Sequence, residues 1–422
     1  MAKLIKTTSL SLWPRSDTSK IMDEKMQQNH TTRNSWLGIL LIIWVGSNLR
    51  SPITAVGPIL DEIKSAMDLD NIQASFLTSI PLIVFASCSI LVSKATEKLN
   101  IRHGLIYSLA ILILGLYLRV AGSVTTLYLG SVLIGLGICV GNVLTPAYIK
   151  NEFPAKIGLM TGIFSVSMNL VAALASGFSI SIGEWTGAGW KGSLSVWIVV
   201  AVIALLIVIA ELFWGKKPVN RQVNTSENIK FNIFRSKQAW NISLFMGLQS
   251  LVYYCLVAFL PTVLMEYGMS KSAAGWVFSI LQLAMLPVML ISPIVASKMK
   301  DPKSMIYLIG VLYSAGILML LLLKDQYIYF TAILLGVAGG LAFSLAILFL
   351  SSRSKTMVGT IKISGKAQSI GYLIAAFGPP LFGKLHDYAL SWSYSFYFLL
   401  LVIVLMTVFG RRSARPRFVE EH

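Results

Sequence analysis

The sequence predicts an all-α integral membrane protein with twelve transmembrane helices, arranged as two parallel six-helix pseudo-repeats. Composition, a succession of long apolar runs and one internal match at a fixed offset support this prediction. The 422 residues are 55% hydrophobic and 13% charged, and their mean hydropathy is +0.73. A soluble protein of this length could not bury so much apolar surface, because its exterior must still face water.

Apolar runs of about twenty residues are long enough to cross a bilayer as helices. The predicted spans cover residues 36–60, 71–93, 104–121, 124–149, 157–182, 190–213, 239–265, 271–296, 304–323, 326–350, 364–386 and 391–410. The polar segments between and around them divide the chain into a disordered cytoplasmic tail (1–35), a first six-helix bundle (36–214), a cytoplasmic linker (215–238), a second bundle (239–410) and a second tail (411–422).

The net charge of +17 reflects membrane topology. Of the 35 lysines and arginines, 28 lie on one side of the predicted spans and six on the other, with Arg50 inside a span. Cytoplasmic loops of membrane proteins are rich in Lys and Arg, so both termini are predicted to be cytoplasmic. Basic loops beside an anionic leaflet explain the charge without a nucleic-acid partner. The expected location is the cell membrane, with multiple spans.

An internal repeat relates the two bundles. At an offset of 203 residues, matched positions fall on spans 1 and 7, 4 and 10, and 5 and 11 without a change of register. The matches include Ser47/Ser250, Ala55/Ala258, Pro58/Pro261, Gly137/Gly340 and Gly162/Gly365. Because each half holds an even number of spans, the halves are parallel repeats about an axis along the membrane normal. Solutes in such proteins bind near the midplane, where the repeats meet.

Arg50 is the most informative single residue. It lies about fifteen residues into the first span, or roughly 22 Å of helix, near the middle of an apolar layer about 30 Å thick. A cation there costs at least ~2.5 kcal/mol, and no carboxylate precedes Asp61 to neutralise it. Arg50 is therefore predicted to bind an anion. The alternatives are that it bonds carbonyls freed by Pro52 and Pro58, or that it extends towards the headgroups.

Other polar residues within spans are candidates to line the same cavity. Thr54 lies one helical turn after Arg50, and Tyr253 is the equivalent of Arg50 under the 203-residue offset. The remaining candidates are Asn48, Asn142, Asn169, Gln249, Gln282, Gln368 and Tyr372. Amides also join membrane helices at about 0.6 kcal/mol each, so helix packing is the open alternative for each of them. Pro58, Pro261 and Pro379 are candidate gating residues, with static kinks as the alternative.

Several chemistries find no support in the sequence. The four histidines lie in tails or near span ends, and no metalloprotease, P-loop or nucleophile-elbow motif is present, so an enzyme is not predicted. The three cysteines show no metal spacing, and no metal or cofactor is expected. No Asp or Glu occupies the central part of a span, which leaves open whether a proton is coupled to transport.

Four segments carry a family resemblance. Asn48-Leu-Arg-Ser-Pro-Ile-Thr-Ala-Val-Gly-Pro58 and Gly141-Asn-Val-Leu-Thr-Pro-Ala-Tyr-Ile-Lys150 are the more specific, joined by Gly247-Leu-Gln-Ser-Leu-Val-Tyr-Tyr254 and Gln368-Ser-Ile-Gly-Tyr372. They resemble the cyanate/2-nitroimidazole (CynX/NimT) branch of the major facilitator superfamily. The resemblance implies the major facilitator fold and a secondary carrier of small anions or polar organic molecules.

The segment around residues 93–104 resembles that superfamily's loop pattern only loosely. Its acidic Glu97 and basic Arg102 are expected to pair as an inner gate. Lys366 stands near the start of the eleventh span, where the family pattern implies an apolar residue.

The favoured hypothesis is an alternating-access carrier of a small, anionic or polar organic solute. A monomer embedded in the lipid bilayer is expected. An exporter of small lipophilic or nitroaromatic compounds is the alternative. A transport-like sensor is a third hypothesis, disfavoured because the linker is short and carries no recognisable domain.

Overall fold

A computed structural model of the chain describes residues 35–69, 71–96, 100–215 and 232–421, and the regular structure within these ranges is helical. The predicted first tail and most of the linker lie outside the described residues. The helices are α1 Ser35–Asn48, α2 Ser51–Thr54, α3 Leu60–Ala66, α4 Asn71–Thr96, α5 Ile101–Arg119, α6 Val124–Glu152, α7 Ile157–Thr186, α8 Gly189–Trp214, α9 Lys237–Glu266, α10 Lys271–Lys298, α11 Lys303–Leu322, α12 Ile328–Ser352, α13 Met357–Ala389 and α14 Ser393–Ala414.

The first span, predicted over 36–60, is a broken helix over residues 36–59. α1 ends at Asn48, two turn residues follow, and α2 occupies only four residues before a 3₁₀ turn at Gly57–Ile59. Proline has no N–H to donate and crowds the preceding turn of a helix. Pro52 therefore removes one bond of the ladder, and Leu49 N bonds instead to Gly46 O at 3.0 Å. The break places Arg50 at an unwound point in the membrane.

Eleven helical segments in the described part of the chain are long and apolar enough to cross a membrane. The remaining predicted span, 364–386, lies inside α13. With 33 residues, α13 is long enough to cross, but it is less apolar than these eleven and carries Lys362, Lys366, Gln368 and Lys384. α13 packs against α4, α6 and α9, and Lys366 and Gln368 are buried there, whereas Lys384 is exposed.

The two halves repeat the same helix packing. In the first half, α1 packs on α7 and α8, α4 on α6, α5 on α6 and α8, and α7 on α8. In the second half, α9 packs on α13 and α14, α10 on α12, α11 on α12 and α14, and α13 on α14. Every pair of the first set has its counterpart six spans later. The predicted fold class, two parallel six-helix repeats, is thereby visible in the packing.

The halves meet along two equivalent seams, α4 on α13 and α7 on α10. We call the side where α1 begins and α14 ends the terminal face, and the opposite side the distal face. At the terminal face the seams are tight: a Cβ on Gly162 would lie 2.6 Å from Leu290 O, and one on Gly365 would lie 2.6 Å from Ser89 O. Lys150 of α6 also donates a 2.9 Å hydrogen bond to Ser351 O of α12.

Towards the distal face the same seam is open. A Cβ added to Gly177 of α7 or to Gly275 of α10 would meet no atom of the described chain within 4 Å. Since α7 and α10 touch closely at one end and not at the other, the halves are closed at the terminal face and separate towards the distal face.

A candidate solute-binding site

Arg50 is held by neutral groups at the break in the first span. Its Nη1 donates a 2.6 Å hydrogen bond to Asn169 Oδ1 on α7. Its guanidinium carbon lies 4.7 Å from the centroid of the Phe343 ring and 5.9 Å from that of Tyr253. None of the ion pairs among the described residues includes Arg50. Its charge is therefore solvated by an amide oxygen and two aromatic faces, and it is not cancelled.

A narrow cavity with about 260 Å³ of empty space opens in front of Arg50. Apart from Arg50, its walls belong to the second half. They comprise Gln249, Ser250, Tyr253 and Tyr254 of α9, Met285 of α10, and Gly339 and Phe343 of α12. A solute bound here would contact both halves.

Helical spacing brings the polar groups of α9 into the cavity wall. Gln249 and Tyr253 are four residues apart and so share one face of the helix. Gln249 is buried and donates hydrogen bonds to Met246 O at 3.0 Å and Ser250 Oγ at 2.7 Å. The Tyr253 hydroxyl donates to Gln282 Oε1 of α10 at 3.3 Å. The bond to Gln282 holds the Tyr253 phenol beside the Arg50 guanidinium.

α7 supplies the opposite support. Asn169 Nδ2 donates to Ser165 O, one turn earlier, at 2.8 Å, and this bond directs the amide oxygen towards Arg50. Thr54 donates from Oγ1 to Ala172 O on the same helix at 2.9 Å. Thr54 thus joins α2 to α7 and does not line the cavity wall described above.

Four predicted binding residues lie away from this cavity. Asn48 is fully buried and donates to Trp44 O at 2.8 Å and to Val200 O of α8 at 3.4 Å, so it faces the sixth span. Tyr372 packs against Phe85 with ring centroids 5.0 Å apart. Asn142 is half-buried on α6 and Gln368 is buried on α13. The structure therefore brings together Arg50, Asn169, Gln249, Tyr253 and Gln282; Tyr372 lies within electrostatic range of Arg50 without lining the cavity, and the other three do not line it.

The predicted gate residues have different surroundings. Glu97 lies outside the described residues. Arg102 is buried and donates to both carboxylate oxygens of Glu211 on α8, at 2.5 and 2.8 Å, and its Nη2 lies 3.3 Å from Glu152 Oε1 on α6. This ion-pair network joins three helices of one bundle at the terminal face.

The three predicted gating prolines do not interrupt long helices. Pro58 is exposed within the 3₁₀ turn of the first span, while α9 and α13 run without interruption through Pro261 and Pro379. Pro52 and Pro58 both follow Arg50 in the broken first span: Pro52 lies in α2, just after the two turn residues, and Pro58 lies in the 3₁₀ turn.

Two residues of this region were not singled out from the sequence. Phe343 lies in the strongly apolar α12, where nothing in the sequence distinguishes it from aromatic residues that face lipid. Arg119 did carry a signal, because it is a cation within a predicted span with no carboxylate nearby in the sequence, but it falls at the end of that span. In the structure it is 1% exposed, and its Nη1 donates a 2.6 Å hydrogen bond to Pro52 O.

Comparison with known proteins gives a consistent set of relatives. The family model described as Major Facilitator Superfamily matches residues 37–364. A Bacillus subtilis (strain 168) protein named uncharacterized transporter YycB is 34% identical over 93% of this chain and 96% of its own length. The 2-nitroimidazole transporter of Escherichia coli (strain K12) is 32% identical, over 89% of this chain and 95% of its own. The cyanate transport protein CynX of the same organism is 25% identical, over 90% and 98%.

Solved structures show the same fold at low sequence identity. The proton:xylose symporter XylE superposes with a TM-score of 0.72 and 12% identity, covering 92% of this chain and 98% of that protein. The transporter FucP in its outward conformation also gives a TM-score of 0.72, with 14% identity over 89% and 98% of the two chains.

Proposed function

Because this chain belongs to the major facilitator superfamily, and the expected kinship with its cyanate and 2-nitroimidazole transporters is confirmed, we propose that it carries a small anionic or polar organic solute by alternating access. The fold class and the membrane-transporter class follow from the family. The solute class is the proposal. It rests on one observation: Arg50 presents an uncancelled positive charge to a small cavity at the meeting point of the two halves.

The surroundings of Arg50 favour a planar solute. Phe343 and Tyr253 place aromatic faces 4.7 and 5.9 Å from the guanidinium carbon, so a flat anion can pair with the planar fork while resting against a ring. The names of two relatives mention cyanate, a small anion, and 2-nitroimidazole, a small planar ring compound.

Closure at the terminal face supports the mechanistic part of the proposal. Both seams touch closely there, and Gly177 and Gly275 of the α7–α10 pair face open space nearer the distal face, as expected of one state of a carrier whose halves rock about a central site. The excess of Lys and Arg on that side supports a cytoplasmic location for the terminal face. The solute would then enter this state from outside the cell.

Counterflow in proteoliposomes tests the proposal without knowledge of direction or coupling ion. Vesicles loaded with unlabelled cyanate or 2-nitroimidazole take up labelled tracer if the protein carries that solute. Arg50→Ala should reduce counterflow of the carried anion by about ten- to hundredfold, the value of a hydrogen bond to a charged group. Arg50→Lys should retain part of it. Undiminished counterflow by Arg50→Ala overturns the anion-binding role.

The alternative is export of small lipophilic or nitroaromatic compounds. The aromatic lining by Tyr253, Tyr254 and Phe343 supports it, because stacking alone can hold such compounds. Competition separates the two functions. Thiocyanate and nitrate should inhibit counterflow if Arg50 binds the solute's charge, and they should leave it unchanged if stacking dominates.

A further inference from the structure

Arg119 is a second cation buried in the first bundle. It ends α5 and is 1% exposed. Its Nη1 donates to Pro52 O at 2.6 Å, and its Nε and Nη2 approach Ser131 Oγ at 3.4 and 3.3 Å. None of the ion pairs in the described ranges includes it. A buried charge with only neutral partners is costly, so its contact with the broken helix requires an explanation.

The break in the first span leaves the carbonyl of Pro52 without its helical partner. In a continuous α-helix Pro52 O would accept from Val56 N. Val56 N bonds instead to Ile53 O at 3.3 Å. A buried carbonyl without a donor costs free energy comparable to a lost hydrogen bond. Arg119 supplies that donor from a different helix, and because the donor is charged the bond is stronger than one between neutral groups.

A second freed carbonyl is satisfied in the same manner. Ile59 N bonds to Val56 O at 3.2 Å, which frees Ala55 O. Ser179 Oγ of α7 donates to Ala55 O at 2.6 Å. The unwound segment is thus fixed by side-chain donors from α5 and α7, and the charged one acts two residues after Arg50.

We propose that Arg119 is a positioning residue for the solute site: by holding Pro52 O it keeps the first span broken at residues 49–56 and so directs Arg50 to Asn169 and the cavity. The proposal rests on the solute-binding role of Arg50. Arg119 is buried within the bundle and does not touch the cavity, so it acts through the backbone and not on the solute.

Hydrogen exchange by mass spectrometry on the full chain in detergent measures the segment directly, without any solute. Arg119→Leu should speed amide exchange in residues 49–56 by about ten- to hundredfold, since it leaves a buried carbonyl without its charged donor. Arg119→Lys and Arg119→Gln, which retain a donor, should restore most of the protection. Peptides from 124–152 should exchange as in the wild type.

Ser108→Ala is the matched control. Ser108 Oγ of α5 donates to Gly137 O of α6 at 2.6 Å, so its loss weakens the same helix pair without removing a hydrogen bond to the first span. It should leave residues 49–56 protected. In cyanate counterflow, Arg119→Leu should raise the half-saturating concentration at least about tenfold, with Ser108→Ala within twofold of wild type.

Unchanged exchange at 49–56 in Arg119→Leu, or an equal rise across α5 and α6, would overturn the positioning role. If Arg119→Leu does not fold, amide exchange at 49–56 is compared between Arg119→Gln and Arg119→Lys, and this comparison decides. The charge-assisted bond predicts slower exchange in the lysine variant. The hydrogen-exchange measurement does not depend on transport activity. Normal counterflow by Arg50→Ala together with loosened 49–56 in Arg119→Leu would reject the proposed function and retain the role of Arg119 in holding the break.

Discussion

Arg50 Nη1 and Asn169 Oδ1 lie 2.6 Å apart, joining the broken first span to α7. The amide oxygen accepts one hydrogen bond from the guanidinium and leaves its full positive charge in place. A carboxylate at this position would cancel that charge. A guanidinium carries five donors. The remaining ones can bind a solute while Asn169 holds the orientation.

Changing Asn169 to a carboxylate should therefore block anion binding. In Asn169→Asp, the new charge pairs with Arg50 and competes with the solute, so cyanate affinity should fall by about 100-fold or more. Asn169→Leu, which removes the acceptor but adds no charge, should lose about tenfold, the value of one hydrogen bond to a charged group. Binding is measured by the thermal stabilisation that added cyanate produces.

Asn142→Asp is the control for that comparison. Asn142 is also a half-buried amide on a membrane helix, but it does not line the cavity around Arg50. Its substitution should leave cyanate affinity within twofold. Wild-type affinity in Asn169→Asp would show that Arg50 does not bind the anion.

Phe343 should contribute to the same site through its ring. Phe343→Leu keeps an apolar side chain but removes the aromatic face 4.7 Å from the Arg50 guanidinium carbon. A desolvated cation–π contact is worth about 1–2 kcal/mol, so cyanate affinity should drop about five- to thirtyfold. Phe330→Leu, on the exposed surface of the same helix, should have no effect. Equal losses in both variants would point to general destabilisation of α12.

The tight seam at the terminal face predicts a shift in conformational population. In Gly158→Ala the added methyl group would meet Pro293 O and Ser297 of α10, and such overpacking costs about 1–3 kcal/mol. The closed state should become less populated by about five- to hundredfold. Gly177→Ala, on the same helix but facing open space, should not change the population.

A buried reporter cysteine can measure that shift. Ser93 is 4% exposed in the other seam at the terminal face. In a background with Cys88, Cys139 and Cys255 changed to alanine, Ser93→Cys should react faster with a polar maleimide when Gly158→Ala is added. Identical rates with Gly158→Ala and Gly177→Ala would contradict closure at this face.

The Arg102–Glu211 pair should stabilise the first bundle. Both side chains are buried, at 7% and 3% exposed, with atoms 2.5 Å apart. Breaking a buried pair typically costs 3–5 kcal/mol, and since Glu152 still faces Arg102, Glu211→Gln should cost about 3 kcal/mol. The melting temperature in detergent reports the change. Glu421→Gln, which breaks the half-exposed pair with Lys355, is the comparison and should leave the melting temperature nearly unchanged.

The fold was predictable because its determinants are local or periodic. Run length and composition predict spans, since each must match one bilayer thickness. The 203-residue offset predicts two equivalent bundles, and the same helix pairs indeed pack in both. The least apolar span, α13, shows the limit of that reasoning: Lys366 is tolerated because protein buries it, and only the packing reveals this.

The sequence also determined how deep Arg50 lies in the membrane and that its span holds no neighbouring carboxylate. A charge inside an apolar run can be recognised in the sequence whatever the tertiary structure is. Which groups surround that charge was decided by the tertiary structure alone. Asn169, Tyr253 and Phe343 come from three other helices, and their side chains meet Arg50 only once α7, α9 and α12 have packed. Sequence spacing could not show that Asn169, and not Asn142 or Gln368, lies beside Arg50. An amide on a membrane helix looks the same in the sequence whether its side chain faces the cavity or a neighbouring helix. The bond from the buried Arg119 to the freed carbonyl of Pro52 joins residues 67 positions apart, which no local pattern encodes.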